Sequence, residues 1–325
     1  VFFENLALTK VGEVFAVPGV SASAAPFYSN ASSAYENIIN LKNTNKGYSY
    51  ALSAQLEKYF DFGLDVAASY TYGRSRSVND GTSSVAYSNW KYNYSRDTNG
   101  PGEMGYSKFD IPHRVMVRLN YNSPKYCQGW LSTSVGIVYT GTSGGRYSLT
   151  MNEKDDFNGD GWRGNNLLYI PTKDELSKMN FIASTDKKGN VTTADQARQL
   201  FEDWIQGNSY ARTHRGQYAE RNSCMTDWEN NIDLHFGQSI HLKNLVRLEF
   251  TLDVINFTNM LNKRWGTTYG NAYNVSPIMV NKIVMTGAAG NIVAEPSYTY
   301  NPNANPTPSD IASRWHMQLG FRIAF

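Results

Sequence analysis

Three groups of residues carry types and spacings that chemistry could use. Asp156-Phe157-Asn158-Gly159-Asp160-Gly161 sets oxygen-bearing side chains on alternate positions ahead of a glycine, the pattern that opens a calcium loop. Asp156, Asn158 and Asp160 are therefore candidate ligands for calcium, the one cofactor the sequence suggests. The position where an EF-hand carries its bidentate glutamate is Leu167, which leaves Asp155, Asn165 and Asn166 as the neighbours able to add oxygen. An Asx-rich turn made of the same residues is the competing reading. Gly141-Thr142-Ser143-Gly144-Gly145 satisfies G-x-S-x-G, but that motif needs a strand–elbow–helix setting and a distant Asp and His. Here it leaves a strand and enters a Tyr-rich stretch, so its glycines read as turn formers and no enzymatic activity is expected. His113, His214, His235, His241 and His316 show neither H-x-x-x-H nor H-E-x-x-H spacing, so zinc chemistry is not indicated. The third group is charged: Asp65, Arg118, Asp233, Glu249, Asp253 and Arg322 each interrupt an apolar segment on its polar parity.

Those segments must position the charges. In Ser313–Phe325, Trp315, Met317, Leu319, Phe321, Ile323 and Phe325 share one parity, while His316, Gln318, Gly320, Arg322 and Ala324 share the other. Period two is the signature of a strand with one apolar and one polar face, and the length suits a tilted membrane-crossing strand of roughly 9–11 residues. The same alternation predicts strands over Tyr48–Tyr59, Phe62–Gly73, about 107–122, Trp130–Tyr139, Trp228–Ile240 and Arg247–Asn256, with Val1–Lys10 as a further strand at the start. Turns are expected at Phe60-Asp61, at Ser123-Pro124-Lys125 and near Lys243-Asn244. The resulting eight strands are joined by connections that alternate long and short, as in a transmembrane barrel with long extracellular loops and short periplasmic turns. A soluble sandwich has no reason to sort its loops in this way.

Composition agrees. The 325 residues carry a net charge of +2, which gives no electrostatic case for nucleic acid, and two cysteines, too few for a disulfide scaffold. Aromatic residues make up 14 % and include 22 tyrosines, as aromatic girdles at both membrane interfaces require. Mean hydropathy is −0.48 and no run approaches the length of an apolar transmembrane helix. Cys127 falls in a short turn and Cys224 at the far end of a strand, so both thiols are expected to be free. Val1-Phe2-Phe3-Glu4 has none of the parts of a signal peptide and reads as mid-strand, hence as the beginning of a C-terminal portion of something longer.

One loop announces internal structure. Thr193-Ala194-Asp195-Gln196 fits a capping box ahead of a stripe of Leu200, Phe201, Trp204 and Ile205 that Gly207 would end, and Thr172-Lys173-Asp174-Glu175 offers a second box. The insertion from 141 to 225 thus reads as a small folded cap with short helices. Loop aromatics (Tyr87, Trp90, Tyr92, Tyr94, Tyr106, Tyr147, Trp162, Trp204, Tyr210) could stack on sugar rings or peptide side chains, or pack loop on loop.

Longer strings resemble one family. NTNKGYSYALSAQLEKYF (43–60), YTYGRSRSVNDGTSSVAYSNW (70–90), FDIPHRV (109–115), YTGTSGGRYSLT (139–150), NGDGWRGNNLLYIP (158–171), RGQYAERN (215–222) and LDVINFTNMLNKRWG (252–266) are similar to the C-terminal part of TonB-dependent outer-membrane transporters of the SusC-like and Oar-like kind. The resemblance implies an all-β fold, the C-terminal eight antiparallel strands of a 22-stranded transmembrane β-barrel, with 1–325 all barrel wall and loops. It implies nutrient import across the outer membrane of a Gram-negative bacterium. The partners it implies are the protein's own plug and N-terminal barrel strands, TonB, a SusD-like surface lipoprotein and outer-membrane lipid. A non-transporting adhesin or surface scaffold on the same barrel is the alternative.

Overall fold

The structure, a computed structural model, describes every residue except 32–33, 243–244, 270–273 and 289, so the turn expected near Lys243-Asn244 lies outside the described residues. Alternation in the sequence becomes a single antiparallel meander. Seven long strands, Tyr48–Tyr59, Leu64–Ser77, His113–Asn122, Leu131–Thr142, Glu229–Leu242, Val246–Ile255 and His316–Ala324, pair in the order in which they occur along the chain. Two residues, Gly105–Tyr106, extend the second of them by pairing with Arg76 and Ser77.

Register decides which side chains share a face, because directly opposed residues in an antiparallel pair point the same way. One continuous row across the sheet runs Asp65, Asn120, Gly136, His235, Asp253, Gln318. On the same face the next row to one side holds Arg118 with Asp233, and the second row to the other side holds Glu249 with Arg322. The intervening rows are apolar, as in Val66, Leu119, Ile137, Leu234, Val254, Met317. Aromatic residues bracket that apolar face. Tyr72, His113, Tyr139 and Trp228 lie at one end of the strands and Phe60, Phe62, Tyr121 and Trp130 at the other. Gly141 makes room for this girdle, since a Cβ there would stand 2.5 Å from the Tyr139 hydroxyl and 3.0 Å from Trp228 Nε1.

The expected first strand, Val1–Lys10, is not part of the wall. Phe2–Asn5 pairs with Ile39–Lys42, and Leu8–Phe15 enters a separate sheet between Ala24–Asn30 and Ile292–Tyr300. Asn5 is the reason: its fully buried side-chain oxygen accepts from Ala7 N (3.1 Å) and Ile38 N (2.9 Å), so the chain turns where a spanning strand would continue. The sheet reaches eight strands through Gly105–Tyr106, and its spanning strands number seven.

The short turns, 60–63 and 123–130, sit at one end of the sheet, and the long connections 78–112, 143–228 and 256–315 rise together from the other. With 1–47 they build the cap. Its five-stranded sheet draws Asn152–Glu153, Ile278–Thr286, Ile292–Tyr300, Leu8–Phe15 and Ala24–Asn30 from two of these connections and from the first 47 residues. Both expected capping boxes are present, Thr172 with Glu175 and Thr193 with Gln196. The Ala194–Gly207 helix buries Ala197, Phe201, Trp204 and Ile205, whereas Leu200, expected in the stripe, faces outward. Phe181 packs between Phe201 and Tyr298 with its ring tilted to both, and Trp204 Nε1 donates to Ala304 O at 2.8 Å, which locks helix to sheet. Leu149, Phe157, Leu168, Ile170, Ile205, Ile278 and Tyr298 are all fully buried, and the main hydrophobic core of the described residues lies in this cap. No described helix is long and apolar enough to cross a membrane. Cys127 and Cys224 are free, as expected.

Candidate functional site: a charged wall and the seam beneath the cap

The six charges picked out in the sequence all sit on the polar face, and most are paired there. Arg118 Nη2 lies 3.0 Å from Asp65 Oδ2, His235 Nδ1 2.6 Å from Asp253 Oδ1, and Arg247 Nη2 3.2 Å from Glu249 Oε2. Arg322 stands opposite Glu249 in register, and Asp233 accepts the Asn256 N–H at 2.8 Å. These groups are half-exposed to exposed, so the wall keeps donors and acceptors available to whatever occupies the space it faces.

Sequence reasoning missed the more deeply buried charges, which lie where wall meets cap. Asp110, fully buried, accepts from Ser75 N on the second spanning strand at 2.6 Å. The same carboxylate accepts from Arg146 Nε (2.8 Å) and Nη2 (2.6 Å), just beyond the fourth. The Arg146 guanidinium covers the Tyr106 ring at 3.8 Å, and Arg76, which is paired with Glu220, approaches it at 4.6 Å. This seam ties two connections, 78–112 and 143–228, to the wall. Asp110 and Arg146 are 36 positions apart, beyond any local periodicity, although both fall in the strings that carry the family resemblance.

The loop singled out for calcium closes through its own hydrogen bonds. Asp156 accepts from Gly159 N (2.9 Å) and Gly161 N (2.7 Å), Asn158 from Asp160 N (3.2 Å), and Asp160 from Trp162 N (2.7 Å) and Thr98 Oγ1 (2.7 Å). Asn165 Nδ2 adds a donor to Asp160 at 2.9 Å. All three candidate ligands are thus engaged as acceptors, and among the described residues no group of three or more His, Cys, Asp or Glu side chains is placed to hold a metal. Gly159, at φ 72°, is held so close that a Cβ would meet Tyr28 O at 2.1 Å. Burial raises two carboxyls here: Glu153 is pushed up to about 8 and Asp156 to about 6, in the latter with help from the neighbouring Asp160 charge.

Ser143 makes no nucleophile geometry. Its hydroxyl accepts from His113 N (3.2 Å) and donates to His113 O (3.3 Å), extending the strand ladder through backbone groups. Among the loop aromatics, Trp90, Tyr147 and Trp204 are buried packing residues. Tyr87, Tyr92 and Trp162 instead surround Lys91, whose Nζ lies 3.7 Å from the Trp162 ring centre.

An antiparallel meander with one apolar and one charged face, bracketed by aromatic rings and roofed at one end by long folded loops, is the architecture of a membrane β-barrel wall. The family described as "Outer membrane beta barrel domain" matches residues 5–311, and the chain belongs to it. That membership places the protein in the outer membrane of a Gram-negative bacterium. No curated protein and no solved structure matches the chain.

Proposed function

We propose that the chain is part of the wall and extracellular cap of a TonB-dependent nutrient importer, and that its cargo is a glycan or a peptide. The carrying observation is the open sheet: Tyr48–Tyr59 and His316–Ala324 each end it with an unpaired edge among the described residues. A sheet in lipid must close, because edge N–H and C=O groups find no partner in hydrocarbon. The wall is therefore completed by further strands, up to the 22 that the resemblance implies. A closed ring of that size encloses a lumen wide enough for a plug, and the self-paired charges from Asp65 to Arg322 are wall contacts for it. The apolar face meets lipid. The cap, carried by the long connections, faces outward and presents the ligand-contacting surface, beside which a SusD-like lipoprotein would sit.

Deletion of the gene, followed by uptake of labelled oligosaccharide and oligopeptide pools, tests the reading. Loss of uptake of one pool, restored by the intact gene and not by one lacking its TonB-contacting segment, is expected. Unchanged uptake together with lost surface attachment would instead make the protein an adhesin or scaffold.

A further inference from the structure

Beside the seam lies a cavity of about 310 Å3 between the 79–94 segment and residues 108, 146, 221 and 222. That volume is at the lower end of small-ligand sites and suits one sugar ring or a short peptide terminus. Its lining residues are mostly of polar type, among them Asn79, Asn89, Asn93, Asn222 and Arg221.

Arg221 is the feature without a structural explanation. It is buried, and no carboxylate lies within ion-pair distance of it among the described residues, although Arg146 next to it holds Asp110. Its hydrogen-bond partners are neutral: Nη1 donates to Asn93 Oδ1 at 2.7 Å and Nη2 to the carbonyl and, at 3.2 Å, the hydroxyl of Ser77, while Nε, itself closed off from solvent, has no partner. Asp80 lines the same cavity, yet its oxygens accept from Ser77 Oγ (2.7 Å) and Lys108 N (3.0 Å). A guanidinium removed from water and hydrogen-bonded only to neutral acceptors is costly; the Asp80 charge acts on it through space without forming an ion pair, and burial still lowers its proton affinity. A carboxylate arriving in the cavity would supply the missing charge through a charge-assisted hydrogen bond from the second Nη1 hydrogen, which no protein group takes up.

We propose that this cavity is a binding site for a carboxylate-bearing ligand, with Arg221 as the charge that selects it and the Asn79, Asn89 and Asn93 amides as hydrogen-bonding neighbours. The site rests on the outward-facing cap of the function proposed above, and it binds whether or not the barrel transports. The carboxylate can come from a uronic acid or from a peptide C-terminus, so both serve as probes.

Calorimetry on the full-length protein in detergent, with sodium glucuronate, diglycine and neutral glucose, tests the proposal. At least one carboxylate probe should bind about tenfold more tightly than glucose, the worth of one charge-assisted contact. Whichever does so names the source. Asn93→Asp places a carboxylate on Arg221 from within, so it should abolish this preference while raising the melting temperature of the cap. Arg221→Gln should abolish it as well, and unchanged near-ultraviolet circular dichroism would verify the fold of that variant. Glucose matching both acids in the wild-type protein would overturn the proposal, as would a preference that survives Asn93→Asp. Uptake is not read in this experiment, so its failure is separate from failure of the import function.

Discussion

The wall and the cap are made by one chain under two different rules. In the wall, hydrophobic side chains stay exposed: Leu319 keeps 79 % of its surface and Leu56 74 %. In the cap, Leu168, Ile170 and Tyr298 keep none. The wall satisfies its backbone strand by strand and leaves its apolar face to lipid, while the cap assembles a water-excluding core of its own from connections far apart in sequence. A single chain can do both because strand parity costs no long-range contact, whereas a core needs several loops to meet. Asp110 and Arg146 are where the two regimes are joined.

Removing that joint should have the largest effect. Asp110→Ala strands the Arg146 guanidinium in a buried setting, and a broken buried pair costs about 3–5 kcal/mol. Detachment of the cap is expected, seen as rapid proteolysis of the 143–228 connection, with the heat-resistant migration of the barrel retained. Loss of both together would mean that wall and cap fold as one unit.

Next come substitutions that separate the two solvents. Leu319→Arg on the apolar face should cost about 2–4 kcal/mol in membrane-folding titrations. Gln318→Arg, one residue away on the charged face, should cost well under about 1 kcal/mol. Equal costs would contradict the two-faced wall. In the cap the solvent is its own interior, and Phe201→Ala should cost about 3 kcal/mol there while leaving the wall untouched.

Acidity should distinguish the regions more gently. Glu153, raised to about 8, and Asp156, raised to about 6, both hold protons in the folded cap that the unfolded chain releases near pH 4. Folded cap binds more protons than unfolded chain between these values, so its stability is full below about pH 4 and falls as pH rises towards 8. The loss is to be read from urea unfolding followed by tryptophan fluorescence. Glu153→Gln should flatten the part above pH 6, and a cap most stable at pH 8 would reverse the assignment. The smallest effect belongs to helix capping: Thr193→Ala should loosen the 194–207 helix by about 1 kcal/mol, visible as faster amide exchange in its first turn.

Much of the wall was legible in advance. Its strands can be placed to within a few residues because period-two alternation is a property of the backbone itself, and the shared face of the six charges follows from parity alone. Both capping boxes are equally local, each reaching only three residues along the chain. Leu200 shows the limit of local reading, since the helix could have turned either flank of its stripe inward and Ala197 is the one that packing chose.

The start of the chain shows the same limit on a larger scale. Val1–Lys10 has the alternation of a spanning strand, yet buried Asn5 bends it and its neighbours in the cap sheet come from positions near 30 and 293. The hairpin Ile278–Thr286 and Ile292–Tyr300 shows the same limit, since its partners lie near the chain start and in the 143–228 connection. Parity, turns and caps are short-range steric and hydrogen-bonding rules, and the sequence by itself determined them. Which distant loops share a core, which acid meets Arg146 and which arginine is left without one are set by the simultaneous packing of all the long connections, and only the tertiary structure decided them.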